Sequence, residues 1–157
     1  MDQGKYIKEY SRRLLTLLEE KIIPGQQTFG FEYEFLPKRP LNLDIMNKIY
    51  IFLSEKGFKR EGAAFVHKKC MYIDFEPGGQ IEFHTQPLLA HEKGRFTEYL
   101  NEIKNVLDIF KKDLGIEYLA QGYIAGRKDS PLCLDSQRYI NLHSRLSRCS
   151  TRGLDMM

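Results

Sequence analysis

The sequence predicts an α+β domain in which an antiparallel sheet carries helices packed on one face. Three observations lead there. Segments with apolar residues at helical spacing are interspersed with short runs in which apolar and polar residues alternate. The runs are separated by short breaks of glycine or polar residues, which suit an antiparallel meander. Alternation gives each strand one apolar and one polar side, as in a sheet covered by helices on one face only.

In chain order, residues 3–22 place Ile7, Tyr10, Leu14, Leu17, Leu18 and Ile22 at helical spacing, and Pro24-Gly25 ends the pattern. A strand follows over Phe29–Leu36 and ends near Pro37, with aromatic side chains on one side and Glu32 and Glu34 on the other. Asn42 is the expected N-cap of a second helix through Ile45, Met46, Ile49, Phe52 and Leu53, stopped by Gly57. Phe58–Thr85 reads as strands broken at Glu61-Gly62, His67-Lys68-Lys69 and Pro77-Gly78-Gly79. A long helix then shows the stripe Phe96, Leu100, Ile103, Leu107, Phe110 and Leu114 and ends at Gly115. Tyr118–Ile124 is the last expected strand, and Asp135 or Ser136 can cap a final helix through Leu146.

The 157 residues fit one domain. A net charge of +3 is too small to argue for nucleic acid or an anionic membrane. Cys70, Cys133 and Cys149 are widely spaced and form no Cys-x-x-Cys, so they read as thiols of a reducing compartment. No start resembling a signal peptide is present, and no run approaches the roughly 18 apolar residues that span a bilayer. The expected location is cytoplasmic.

The chemistry concentrates in Ile73-Asp74-Phe75-Glu76-Pro77-Gly78-Gly79-Gln80-Ile81-Glu82-Phe83-His84-Thr85. Asp74 and Glu76 share one face of the incoming strand, and Gln80, Glu82 and His84 share one face of the outgoing strand. Met71, Ile73, Phe75, Ile81 and Phe83 take the opposite face. If the apolar sets turn inward together, the carboxylates gather on the other side and repel one another unless a cation neutralises them. Glu32 and Glu34 repeat the pattern upstream. Oxygen ligands without a cysteine or histidine pair favour Mg²⁺ or Mn²⁺ over zinc. A half-buried strand with a solvated polar side has the same pattern. No P-loop or dinucleotide glycine motif occurs.

Gly30-Phe31-Glu32-Tyr33-Glu34, then Glu76-Pro77-Gly78-Gly79-Gln80-Ile81-Glu82 followed by Pro87, then Arg138-Tyr139 and Gly153-Leu154-Asp155-Met156-Met157 form an ordered set of landmarks. In order and spacing the set resembles the glutamate–cysteine ligase family, in its plant and proteobacterial branch. The resemblance implies a glutamine synthetase-like fold, with the active site on the concave side of a curved antiparallel sheet. It implies an ATP- and magnesium-dependent carboxylate–amine ligase that forms γ-glutamylcysteine through a γ-glutamyl phosphate, in glutathione biosynthesis. ATP, glutamate and an amine such as cysteine are then the small-molecule partners. By position, Glu32, Glu34, Glu76 and Glu82 match the metal-binding carboxylates. Gln80 would orient substrate or a metal-bound water, and Arg138 would hold a phosphate or carboxylate. Arg127, with Lys128, follows a strand and can also meet anions.

The chain departs from the family's pattern where Asp135-Ser136-Gln137 stand in place of a Pro-Lys before the Arg-Tyr pair, and it has no tryptophan. Family members continue past the Met-Met, so the chain reads as the N-terminal portion of a larger catalytic domain, expected to be inactive alone. Two other readings stay open. One is a non-catalytic ligand-binding domain derived from the same fold. The other is a nucleic-acid-binding module using Arg138, Arg145, Arg148 and Arg152, although a solvated helix face has the same spacing.

Overall fold

A computed structural model describes residues 3–21, 25–67, 71–125, 133 and 137–149. The elements are α1 (Gln3–Lys21), β1 (Thr28–Phe29), β2 (Glu32–Pro37), α2 (Leu43–Glu55), β3 (Lys59–Glu61), β4 (Ala64–Val66), β5 (Met71–Phe75), β6 (Ile81–Thr85), β7 (Leu88–Leu89), α3 (Lys93–Ile109), β8 (Tyr118–Leu119) and α4 (Gln137–Cys149). Six strands form one sheet in the order β3-β4-β5-β6-β2-β8. Every neighbouring pair is antiparallel. β1 and β7 pair as a separate ribbon in line with β2 and β6. Between the two ladders lie Gly30 and Phe31 on one side and Thr85, Gln86 and Pro87 on the other, so one side carries an extra residue, as at a bulge. The chain is α+β, with antiparallel sheets and helices.

The core forms on the face that alternation assigns to it. Met71, Ile73 and Phe75 of β5 and Ile81 and Phe83 of β6 are buried, and Ile73 stands opposite Phe83. Met46, Ile49 and Leu53 of α2 and Tyr99, Ile103 and Val106 of α3 join the same cluster. Tyr50 packs on Phe65 at 5.4 Å between ring centroids, and Phe52 meets Phe110 at 5.8 Å, which ties α2 to the end of α3. Each fully buried side chain of this size contributes about 1.5–3 kcal/mol relative to exposure.

Helix boundaries follow local chemistry. Asn42 Oδ1 accepts from the Ile45 N–H at 2.9 Å, which satisfies a donor that the first turn leaves without an intrahelical partner. Gly115 ends the α3 segment in the left-handed region at φ 68°, after a wide π-type turn over Phe110–Leu114. The buried stripe of α3 differs from the expected one, because Tyr99 and Val106 are buried while Leu100 is 38% exposed. Phe31 selects that side, with its ring 5.9 Å from Tyr99 and 5.2 Å from Phe96.

Two further expectations are corrected. The strand expected over Tyr118–Ile124 is only Tyr118–Leu119, paired with Pro37 and Leu36. Beyond it Ala120, Gln121 and Gly122 are exposed and bury nothing that would extend the pairing. The first helix forms as expected, but its apolar stripe stays in solvent. The final helix runs on to Cys149, beyond the expected end at Leu146, and the proposed caps Asp135 and Ser136 lie outside the described residues. No helix among the described residues is long and apolar enough to cross a membrane.

Candidate metal centre

β2, β6 and β5 lie side by side, and their register lines up the polar sets in two rows. Glu34 is opposite Glu82, which is opposite Asp74. In the adjacent row Glu32 is opposite His84, which is opposite Tyr72. Register partners share a face with side chains roughly 5 Å apart at Cβ, so acids from distant parts of the chain meet on one surface.

Glu76 enters from the turn that follows β5. Its N–H donates to the Gln80 carbonyl at 3.0 Å, and the Gly79 N–H donates to the Glu76 carbonyl at 2.9 Å. Gly79 sits at φ 83°, and a Cβ there would stand 3.0 Å from Leu41 Cδ1. A left-handed backbone and a crowded site both call for glycine. The Cys133 N–H donates to the Pro77 carbonyl at 2.7 Å, which binds a residue preceding α4 to this turn.

The carboxylates interact electrostatically. Glu82 titrates above the ordinary carboxylate range, first because it is partly buried, then because Glu32 and, more weakly, Glu76 and Asp74 repel its charge, while His84 opposes the shift. His84 Nε2 lies 2.7 Å from Asp74 Oδ2, and the imidazole stacks on Tyr72 at 5.0 Å. Tyr139 of α4 donates its hydroxyl to Glu76 Oε2 at 3.3 Å. Burial, followed by the charge of Glu76, raises the Tyr139 phenol. A cavity of about 500 Å³ opens here, and Asp74, Glu76, Glu82, Tyr139, Tyr50 and Arg60 are among its lining residues.

In donor chemistry, though not in arrangement, the set is of the kind a hard divalent cation takes. It consists chiefly of carboxylate oxygens, and its mutual repulsion is what such an ion relieves. Among the described residues, no three His, Cys, Asp or Glu side chains are arranged to share one ion. Two of the acids face hydrogen-bond donors instead, Asp74 toward His84 and Glu76 toward Tyr139.

The sequence-derived candidates fare differently. Glu32 and Glu34 are exposed on β2, whereas Glu76 and Glu82 are half-buried. Gln80 packs over the turn: a Cβ on Gly78 would lie 2.7 Å from its Oε1, which is buried and makes no hydrogen bond among the described residues. Arg138 is exposed, with its guanidinium over the Tyr139 ring at 5.6 Å, so it borders the acidic surface without entering it. Arg127 and Gly153–Met157 lie outside the described residues. Sequence reasoning passed over Tyr72 and Arg60, and it named Tyr139 only as part of the Arg138-Tyr139 landmark, without a role. Tyr72 was legible, because it is two residues from Asp74 on the same strand and therefore on the same face.

No known family model matches the chain, and no curated protein matches it significantly. The functional reading rests on the residues themselves.

Proposed function

We propose that this chain supplies the metal-binding face of an ATP- and Mg²⁺-dependent carboxylate–amine ligase, with glutamate–cysteine ligase the specific activity its motifs suggest. The observation that carries the reading is the in-register row Glu34, Glu82 and Asp74, joined by Glu76 from the Gly78-Gly79 turn. Partial burial, and after it the charge of Glu32, holds the Glu82 carboxyl above its ordinary value, so the acids do not stand independently in solvent.

A carboxylate is a poor electrophile, so amide formation requires its activation, here as an acyl phosphate formed from ATP. Mg²⁺, when bound, would neutralise charge on the phosphate oxygens during transfer. Glu32, Glu34, Glu76 and Glu82 would hold it only once their side chains turned toward a common point, since no three of them are so arranged among the described residues. Tyr139 fixes the Glu76 carboxylate and His84 fixes that of Asp74, so both acids are oriented before ligand arrives. Arg138, next to Tyr139, is within side-chain reach of an anion at the border of this surface, and its planar guanidinium suits paired hydrogen bonds to phosphate or carboxylate. The Gln80 carbonyl oxygen lies buried against the Gly78 turn without a partner among the described residues, so it would meet substrate only if that side chain turned outward. In this reading the fold is glutamine synthetase-like and the protein works in the cytoplasm on small molecules.

The test is to supply the full-length protein with Mg-ATP, glutamate and a series of amines, following ADP release and product mass. ADP release that needs glutamate and a product equal to the two substrates less water are expected. Glu76→Gln and Glu82→Gln should each abolish release while leaving the circular dichroism unchanged. Undiminished turnover in either variant would remove that residue from the centre.

A further inference from the structure

The cavity that takes in Asp74, Glu76 and Glu82 also takes in Arg60 of β3, the one cation among its described lining residues. Register shows how both come to border one space. Arg60 is opposite Phe65, and Phe65 is opposite the buried Ile73, so Arg60 springs from the face of the sheet that α2 covers. Asp74 and Glu82 take the other face. The β4–β5 ladder ends at Phe65 and Ile73, and Ala63 and Phe75, which two more rungs would bring opposite each other, both line the cavity. The cavity therefore passes from one face to the other where β4 stops.

Arg60 is held in place and keeps donors to spare. Its guanidinium lies 5.3 Å from the Tyr50 ring centroid and 5.9 Å from that of Phe65, and Nε donates to the Gly62 carbonyl at 3.3 Å. Tyr50 is itself packed on Phe65 and Phe75. The two terminal nitrogens of Arg60 have no hydrogen-bond or ion-pair partner among the described residues. A planar guanidinium fixed in this way suits paired hydrogen bonds to a carboxylate. In the ligase reading, on which this inference rests, the carboxylate to be phosphorylated lies beside the acids and their metal ion. A substrate with a second carboxylate must place that group away from the acids, which repel it, and the cavity has one cation to receive it. Its volume of about 500 Å³ is that of a small-molecule site. We propose that Arg60 is a specificity-determining residue that binds the second carboxylate of a dicarboxylic amino acid, the α-carboxylate when glutamate is the substrate.

Binding and turnover are read separately on the full-length protein. Isothermal titration in the presence of Mg²⁺ compares glutamate, glutarate, which keeps both carboxylates, and γ-aminobutyrate, which lacks the α-carboxylate. The parent protein should bind γ-aminobutyrate about tenfold more weakly than the other two. Arg60→Gln should weaken glutamate and glutarate about tenfold and leave γ-aminobutyrate unchanged, with Arg60→Lys recovering part of the loss. In turnover, Arg60→Gln should raise the KM for glutamate about tenfold with little change in kcat. A merely structural role would weaken all three ligands alike. That result, no glutamate binding by the parent protein, or glutamate binding undiminished in Arg60→Gln, would overturn the proposal. Arg60-dependent glutamate binding without ADP release would keep this site and overturn the ligase reading. ADP release whose glutamate KM ignores Arg60→Gln would keep the ligase reading and overturn this site.

Discussion

Glu82 sits between two other acids in the register, opposite Glu34 on one side and Asp74 on the other. Its raised pKa fixes the sign of a stability effect. Because the folded state favours the protonated carboxyl, the stability it contributes is complete below the unfolded value of 4.5 and is lost as pH rises through the higher folded value. Glu82→Gln removes that loss. We expect its Tm at pH 7 to exceed that of the parent protein by about 1–3 °C, with the difference vanishing below about pH 4, as followed by calorimetry. A gain in stability on that replacement, in the middle of the sheet, is what a binding role would produce and a structural one would not. Part of this centre was legible in the sequence, because parity along a strand is fixed by the backbone. Asp74, Glu82 and His84 are on the expected face. The contribution of Tyr139 was hidden, since its contact with Glu76 spans sixty-three positions of chain and depends on how α4 approaches the turn.

At the scale of elements, caps and glycine turns proved as readable as hydrophobic period. Asn42→Ala should cost about 1 kcal/mol in urea denaturation, as the Ile45 N–H loses its acceptor. Gly79→Ala should cost more, about 1–3 kcal/mol, because it meets both the left-handed backbone at φ 83° and the Leu41 side chain at 3.0 Å. In the same variant Glu76 should lose its position, so divalent cation affinity should fall together with stability. The meander follows its sequence breaks because β4, β5 and β6 each alternate between buried and more exposed residues, whereas β3, wholly polar and exposed, forms the sheet's edge. Where reading was less exact, two neighbouring apolar residues competed for one place. Either Tyr99 or Leu100 satisfies a helical repeat, and the position of Phe31, between β1 and β2, decides between them.

For the molecule as a whole, six antiparallel strands divide two tasks between their faces. The face toward α2 and α3 is closed by aromatic and aliphatic packing, and the centre of the other holds the acids. The helices were legible as helices, but their destinations were not. α1 has the same kind of apolar stripe as α2, yet α2 buries Met46, Ile49 and Leu53 while α1 buries nothing comparable. Periodicity records that a face seeks cover and is silent on where the cover lies. Mg²⁺ at millimolar concentration should raise the Tm of the parent protein by a few degrees, and by less in Glu76→Gln/Glu82→Gln, by the mass-action effect of a ligand that binds only the folded state. The most direct test is Mn²⁺ titration of the isotope-labelled protein, read as line broadening in its amide NMR spectrum. Broadening centred on Glu32, Glu34, Glu76 and Glu82, reversed by excess Mg²⁺, is the expected result. Broadening that is absent, or centred away from β2, β5 and β6, would contradict a divalent cation on the acidic face.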